Sequence, residues 1–407
     1  RKFGKMAFLR CILLAAMVFT IVSSNESKKI MCLTENFMDD EHKIEALASG
    51  CDFLTTQRIV LDAHSKRTLD ITETSFQLEN DKMLEAKTKS KKKFFKYGSK
   101  SKTVGFLAHI HVVDVGKYFN EDMVKNDFMA PIMKEIMADP YKGALVTAGS
   151  NAPMSVLKTI IEELAKIKHN YPERKFMIFL GLRDHQDWMD LSDLDNVIAY
   201  YLLPSAISLS TDKMAYEITG KSNLKITDLK PWRQGGFPMK KALGQLSLNY
   251  YEVVSVGKNK HIMEIHSHDY LLKLMDKKRI LWSCYNKNGQ LIGFNKKAER
   301  AVMFDTFASL SHWFDKYMKN EMGGFIYQWK GDKWNLSDSK KPPLLSYLQN
   351  RIEDKPVTEF TDKEKLFHEK AYNVGGNSGS IPRCEDTTNT KESILNILMD
   401  TKGGKKE

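Results

Sequence analysis

The sequence has few long apolar runs, which limits the number of segments that could span a membrane. One run covers residues 11–22, behind Arg10 and before small residues at 23–24, and no other segment is apolar over a bilayer-crossing length. A positive residue, a short apolar run and small residues are typical of a secretory signal peptide. We therefore expect residues 1–24 to be upstream residues plus a signal peptide, and the protein to be secreted and extracellular with no membrane span. An N-terminal anchor is the alternative.

Cysteine is also scarce, with five in 407 residues, and Cys11 lies in the predicted signal peptide. An even number remains, which in an oxidising compartment indicates disulfides with three possible connectivities. The remaining cysteines are Cys32, Cys51, Cys284 and Cys384. Glycosylation sequons at Asn25 and Asn335 fit the same compartment.

Groups of metal ligands are missing as well. His109 and His111 alternate on one predicted strand and share a face, but no third ligand has a matching spacing. A looser group comprises His261, His266 and His268. We interpret these histidines as solvated or hydrogen-bonded side chains, and we expect neither a metal nor a cofactor.

What the chain does contain is a regular alternation of strands and helices. Eight short apolar runs predict strands, at residues 30–33, 57–61, 104–113, 143–148, 176–180, 197–203, 243–248 and 324–329. Alternation with helices predicts a parallel sheet, and eight such units predict a closed (β/α)8 TIM barrel over residues 25–352. An open doubly wound sheet is the alternative, although no Gly-rich dinucleotide fingerprint follows the first strand.

Two polar stretches stand apart from this pattern. Residues 353–407 bury too little to offset their ordering entropy, so we expect a largely flexible tail. The other stretch is basic, in a chain of net charge +11, with Phe94, Phe95 and Tyr97 between its lysines. These lysines are Lys87, Lys89, Lys91, Lys92, Lys93, Lys96, Lys100 and Lys102. The stretch is either a solvated helix end or a site for sulfated glycans and other anionic surfaces, in preference to nucleic acid.

The fourth predicted strand ends without an acid. In a (β/α)8 barrel, catalytic side chains stand at the carboxyl ends of the strands. Here residues 147–151 are Thr-Ala-Gly-Ser-Asn, none of which transfers a proton near neutral pH, and no carboxylate lies between Asp139 and Glu162. Ser150 is no nucleophile elbow, because its flanks do not match G-x-S-x-G.

Six stretches carry a resemblance to a known family. They are residues 29–32 with 50–54 (KIMC, GCDFL), 237–244 (FPMKKALG), 289–295 (GQLIGFN), 322–329 (MGGFIYQW) and 342–348 (PPLLSYL). In order and spacing they are similar to the glycoside hydrolase family 18 chitinases and chitinase-like lectins. The resemblance implies the barrel fold and a Cys32–Cys51 disulfide, with Cys284 and Cys384 paired by exclusion.

The resemblance also shows what this chain has lost. The family's fourth strand carries Asp-Gly-x-Asp-x-Asp-x-Glu, whose Glu protonates the glycosidic oxygen while the sugar's own acetamide attacks. On this chain the Gly is Gly143, the two inner Asp positions are Leu145 and Thr147, and the Glu position is Gly149.

Other family positions depart in the same way. The sixth-strand Tyr-Asp pair, which orients the acetamido group, falls on Leu203 and Pro204, and the eighth-strand Trp falls on Gln328 beside Trp329. The family's α+β insertion between the seventh and eighth strands is expected to be nearly absent, because residues 258–260 (Lys-Asn-Lys) stand where it would begin.

The resemblance therefore implies a catalytically inactive chitinase-like protein that binds a chitin-like or sulfated glycan or acts in signalling, as a monomer. Its expected glycan contacts are Trp329, Tyr327, Tyr201, His109 and His111. One alternative is a divergent active family 18 hydrolase of chitin or N-acetylglucosamine-containing glycans that uses Asp114, Asp184 or Asp187. A scaffold without a sugar ligand is the other.

Overall fold

The computed structural model describes the greater part of the barrel and a second, smaller sheet. The described residues are 28–34, 40–62, 67–70, 81–101, 103–113, 122, 124–149, 151–204, 229–246, 250–255, 261–266, 282–285, 291–295, 300–304, 307–328 and 342–357. Residues 1–24 with the predicted signal peptide, the sequons at Asn25 and Asn335, and residues 358–407 of the predicted tail lie outside them. None of the helices within these ranges is long and apolar enough to span a bilayer.

Eight parallel strands close into a barrel. They are β1 (Lys29–Leu33), β2 (Phe53–Asp62), β4 (Gly105–Val112), β5 (Tyr141–Ala148), β6 (Met177–Gly181), β7 (Ile198–Leu202), β8 (Ala242–Leu246) and β14 (Gly324–Gln328). The ring closes because β1 pairs with both β14 and β2. A short strand, β3 (Arg67–Asp70), adds antiparallel to the far half of β2. Each predicted strand falls on one of these eight, so the (β/α)8 prediction is confirmed.

Helices surround the barrel. They are α1 (Glu41–Gly50), α2 (Asp81–Gly98), α3 (Ala130–Ala138), α4 (Met154–Asn170), α5 (His185–Leu191), α6 (Leu229–Gln234), α7 (Phe307–Lys319) and α8 (Pro343–Ile352). A π-helical turn, Val124–Met129, leads into α3. The helices bury residues three and four apart; on α4 these include Leu157, Ile160, Ile161 and Leu164.

The period of two along each strand separates an inner core from an outer one. The inner cluster takes one apolar side chain from every barrel strand: Met31, Phe53, Leu107, Leu145, Phe179, Leu202, Leu243 and Ile326. Their neighbours in sequence, such as Ala144 and Val146 on β5, belong to the cluster that packs under the helices. Membership of the inner or outer cluster therefore shows which side chains face the barrel interior.

The expectation that the insertion is nearly absent is wrong. Between β8 and β14 the chain forms a five-stranded antiparallel sheet of order β10-β9-β13-β12-β11. Its strands are β9 (Tyr250–Ser255), β10 (His261–His266), β11 (Trp282–Tyr285), β12 (Leu291–Asn295) and β13 (Arg300–Phe304). Residues 258–260 fall between β9 and β10, which pair antiparallel from Ser255 and His261 outward. Polar residues there mark the connection between two strands rather than the end of the segment.

The first disulfide is confirmed. Cys32 and Cys51 are bonded with a Cα–Cα distance of 5.9 Å, and this bond joins β1 to the end of α1. Both cysteines are buried in the outer core. The second predicted pair stays a prediction, because the side chain of Cys284 on β11 and all of Cys384 lie outside the described part of the chain.

Candidate functional site

The carboxyl ends of β4 and β5 bring three polar side chains to the mouth of the barrel. Leu107 and Leu145 belong to the inner cluster, and His109, His111 and Thr147 follow them at the period of two. These residues therefore share the inward face. His111 pairs in register with Thr147, and His109 with Leu145.

One hydroxyl joins the two histidines. Thr147 Oγ1 lies 2.8 Å from His109 Nε2 and 2.8 Å from His111 Nδ1. A hydroxyl has a single proton to donate and two lone pairs that accept, so at most one of the two imidazoles can accept from Thr147 and at least one must donate to it. The two rings are 6.3 Å apart and inclined by 72°, and both are half-buried. Thr147 thus fixes the orientation of both rings at the mouth.

Gly149 occupies the expected position of the catalytic acid. Its backbone N–H donates to the carbonyl of Val112 at 2.7 Å. A Cβ built on Gly149 would lie 3.6 Å from that carbonyl oxygen, which is an ordinary contact. The position therefore accepts a Cβ without a clash and carries no side chain, while Leu145 is fully buried in the barrel interior. The inward face of β5 offers no carboxylate.

Arg183, just after β6, holds the loop that follows β5. Its Nη1 donates to the carbonyls of Gly149 at 3.1 Å and Ala152 at 2.9 Å. Its Nε and Nη2 bond both carboxylate oxygens of Asp187 at 2.8 and 2.7 Å. This bidentate hydrogen bond raises the pKa of Arg183, against the opposing effect of partial burial. The backbone around Gly149 is thus anchored from the neighbouring strand.

The acids proposed for a divergent hydrolase have structural partners where they are described. Asp187 is buried and bonded to Arg183, and it also accepts from the backbone N–H of Arg183 at 2.8 Å. Asp184 caps α5 by accepting from the backbone N–H of Asp187 at 3.0 Å. Asp114 and Ser150 lie outside the described residues.

Two tyrosines expected to contact a glycan do not reach the mouth. Tyr201 and Tyr327 are fully buried in the outer core, under the helices. The Tyr201 hydroxyl donates to Asp195, and its ring lies 5.3 Å from that of Phe237. The expectation was wrong because neighbouring residues on a strand face opposite sides, and these two fall on the outward side.

The remaining family positions named from the sequence lie at the ends of β7 and β14. Leu203 packs in the outer core, and it is Leu202 that points into the barrel. Pro204, half-buried, lies two residues after the end of β7. Gln328 ends β14 in register with Leu33, without a described side chain, and Trp329 lies outside the described residues.

The remaining histidines form no metal-binding group that the structure describes. His261 and His266 are the two end residues of β10, and His268 lies outside the described ranges. Across the described chain, no three His, Cys, Asp or Glu side chains come together as metal ligands.

The lysine-rich stretch lies mainly on α2, where the structure separates its members. Lys91 bonds Glu135 and Asp139 of the α3 segment, and Lys100 bonds Glu41 and Glu45 of α1. Lys89, Lys92, Lys93 and Lys96 are exposed, as is Lys100 with its two ion pairs. The side chain of Lys87 and the whole of Lys102 fall among the residues left undescribed.

Sequence reasoning missed the roles of Thr147 and Arg183. Thr147 was treated only as a lost acid position, although its spacing with the two histidines follows from the strand register. Arg183 gave no signal of its partners, because the carbonyls that it binds lie 31 and 34 positions earlier in the chain.

Known proteins resemble this chain in structure rather than in sequence. No protein-family model matches the sequence, and no curated protein matches it. Solved chitinase structures do superpose on it. The fold is that of the family 18 chitinases. A class V chitinase from Nicotiana tobaccum, in complex with NAG4, has a TM-score of 0.53 at 11% identity, covering 77% of this chain and 97% of its own.

Two further family 18 chitinases show the same likeness. The Cycas revoluta enzyme, in complex with (GlcNAc)4, has a TM-score of 0.54 at 9% identity, covering 86% of this chain and 100% of its own. The Chromobacterium violaceum enzyme has a TM-score of 0.54 at 12% identity, covering 82% and 72%. The resemblance noted from the sequence is therefore confirmed for the fold.

Proposed function

We propose that this protein is a secreted, catalytically inactive chitinase-like protein that binds N-acetylglucosamine-containing glycans at the barrel mouth. The observation that carries the proposal is the inward face of β5, where Leu145, Thr147 and Gly149 stand in place of the three acidic positions. The fold supports a carbohydrate ligand, since two similar chitinases were solved with N-acetylglucosamine tetramers.

The loss of hydrolysis follows from the chemistry of these positions. A positioned general acid contributes about 10²–10⁴-fold to a rate, and glycine has no proton to give. Thr147 is already bonded to two imidazoles, and a hydroxyl does not stabilise a developing cation as a carboxylate does. Asp187, which could supply charge nearby, is bonded to Arg183.

Binding does not need the acid. Sugars offer hydroxyl and amide groups, and the imidazoles of His109 and His111 with the hydroxyl of Thr147 form a polar set whose rings are held in place. Polar groups fixed in advance lose little freedom when a ligand arrives, so a mouth built in this way supports affinity without turnover.

The test measures binding and turnover on the same purified protein. We expect calorimetry to show binding of (GlcNAc)4, and a fluorogenic chito-oligosaccharide to stay uncleaved from about pH 4 to 9, the range in which catalytic acids and bases operate. Thr147→Val removes the hydroxyl at nearly constant volume and is expected to weaken binding about tenfold, the cost of a lost hydrogen bond.

Gly149→Glu tests whether the acid alone is missing. A Cβ fits at this position without a clash, so we expect the variant to fold, yet we expect no cleavage, because Leu145 and Thr147 supply no neighbouring carboxylate. Gly149→Gln is the matched control of equal size without the acid. Sustained release by the natural chain, abolished by Asp114→Asn or Asp184→Asn, would establish the divergent hydrolase instead. Absence of any (GlcNAc)4 binding would favour a scaffold.

A further inference from the structure

The orientation of α2 is fixed by its aromatic residues. Phe94 is fully buried, and its ring lies 5.7 Å from that of Phe106 on β4. Phe95 packs edge-on against Phe106 at 5.0 Å and against Tyr141 of β5 at 5.4 Å. Because these rings face the barrel, the residues on the opposite side of the helix must face solvent.

Two lysines beside this inward face are neutralised by neighbouring helices. Lys91 contacts Glu135 at 2.8 Å and Asp139 at 2.5 Å. Partial burial lowers the pKa of Lys91, but the hydrogen bonds to Asp139 and Glu135 outweigh it and leave the pKa raised. Lys100 is shared between Glu41 and Glu45 in the same way. These four carboxylates are therefore committed to Lys91 and Lys100.

Three exposed lysines, Lys92, Lys93 and Lys96, form a lysine stripe on the outward side. Lys96 lies three and four residues after the other two, so all three charges project from one turn of helix. Among the described residues, no carboxylate lies within ion-pair distance of any of them. Like charges at this spacing destabilise a helix by about 0.2–0.5 kcal/mol per pair, a cost that an anionic ligand would relieve.

The surroundings of the stripe restrict the kind of anion. Single-stranded nucleic acids gain affinity by stacking bases on exposed rings, and membrane-surface helices insert an apolar face. On α2 both Phe94 and Phe95 are turned into the protein, and the half-buried Tyr97 ring lies beneath the ammonium groups of Lys96 and Lys100, 5.7 and 5.0 Å from its centre. The stripe therefore offers mainly charge, which suits a linear polyanion bound through its anionic groups.

We propose that the lysine stripe is a second binding site, separate from the barrel mouth, for sulfated polysaccharides. Sulfate groups stay ionised at all physiological pH values and are spaced along a flexible chain, so several can meet Lys92, Lys93 and Lys96 together. This proposal does not depend on glycan binding at the mouth, because α2 packs on the outer side of the barrel.

The test compares two triple variants with the same change in net charge. One carries Lys92→Gln, Lys93→Gln and Lys96→Gln; the control carries Lys125→Gln, Lys142→Gln and Lys319→Gln, exposed lysines on three separate elements. We expect only the stripe variant to leave a heparin column at clearly lower salt. Its slope of log affinity against log salt should fall by about two to three, since each of the three charge contacts releases roughly 0.7–0.9 of a counterion.

Other outcomes would overturn the proposal. Equal shifts for the two triple variants would show a general effect of net charge. Equally tight binding of unsulfated hyaluronan would show that sulfate is not what is recognised. Tighter, stripe-dependent binding of single-stranded DNA would make nucleic acid the partner. Thermal melting of both variants checks their folding, and unchanged heparin elution of Thr147→Val separates this site from the mouth.

Discussion

Arg183 connects three segments at the barrel mouth. Its guanidinium reaches Gly149 and Ala152 in the loop after β5, and Asp187 in the first turn of α5. The side chain of Asp187 is only 9% exposed, so its charge depends on Arg183 for compensation. A buried carboxylate that loses its partner keeps its desolvation cost without the compensating attraction.

We therefore expect Arg183→Met to lower the free energy of unfolding by about 2–4 kcal/mol, somewhat less than the full cost of breaking a buried pair. Lys158→Met is the control, because Lys158 pairs with Asp193 at the surface, where the side chains are 41% and 55% exposed. Such exposed pairs contribute about 0–1 kcal/mol. Urea unfolding of both variants measures the difference, and losses of equal size would contradict this account of Arg183.

Single residues also mark the limit of inference from the sequence. The strand period correctly placed His109 and His111 on one face, because that depends only on counting along β4. The same counting failed for Tyr201 and Leu203, since an error of one residue in register exchanges the inner face for the outer one. The partners of Arg183 needed the assembled fold, because strands distant in sequence bring them together.

Among the elements, β1 is held by both covalent and hydrogen bonds. It pairs with β14 and β2, and the Cys32–Cys51 bond ties it to the end of α1 across 19 positions of sequence. Closing a loop of this length restricts the unfolded chain, which stabilises the folded state by about 3 kcal/mol in the chain-entropy description.

Replacing both cysteines, as Cys32→Ala with Cys51→Ala, should lower the free energy of unfolding by about 3 kcal/mol. Alanine avoids placing a hydroxyl in the buried site. Chemical unfolding with and without a reductant makes the comparison, since reductant should destabilise the natural chain more than the double variant, in which only the predicted Cys284–Cys384 bond is left to reduce. A double variant as stable as the natural protein would show that strand pairing alone holds β1.

Strands and helices were predictable from the sequence where their apolar pattern was long or where both of their faces are buried. The eight barrel strands read as apolar runs because helices cover one side and the inner core fills the other. The second sheet was missed because the expectation rested on the polar residues at 258–260, although its strands, of four to six residues, are as long as several strands of the barrel.

Buried tyrosines limit the stability of the whole molecule at high pH. Burial raises the pKa of Tyr317 and of Tyr201, and the bond from Tyr201 to Asp195 adds to the effect. Burial also raises the pKa of Tyr347, although its bond with Ser311 opposes this. In the unfolded chain a tyrosine ionises near pH 10. Above that pH the folded state holds more protons than the unfolded state, so stability falls as pH rises.

We expect the free energy of unfolding to decline between about pH 10 and 12, by up to about 1.4 kcal/mol per pH unit for each such tyrosine. Urea unfolding at pH 8 and pH 11 measures the decline. Tyr317→Phe should make it smaller, whereas Tyr171→Phe, at a residue 43% exposed, serves as the control. A decline of the same size in Tyr317→Phe would exclude Tyr317 as a source.

The pairing of β1 with β14 also determines when the barrel can close during synthesis of the chain. Lys29 lies beside Gly324, so the first strand needs the last one as its neighbour. At ribosomal speeds of about 5–20 residues per second, some 300 residues take roughly 15–60 s to follow. Throughout that interval one edge of β1 has no partner strand, and the same holds for one edge of β8 from the time that strand is made. Chaperones or an early Cys32–Cys51 bond would matter most during this period. The barrel is completed at the end of its synthesis, whatever order its other strands fold in.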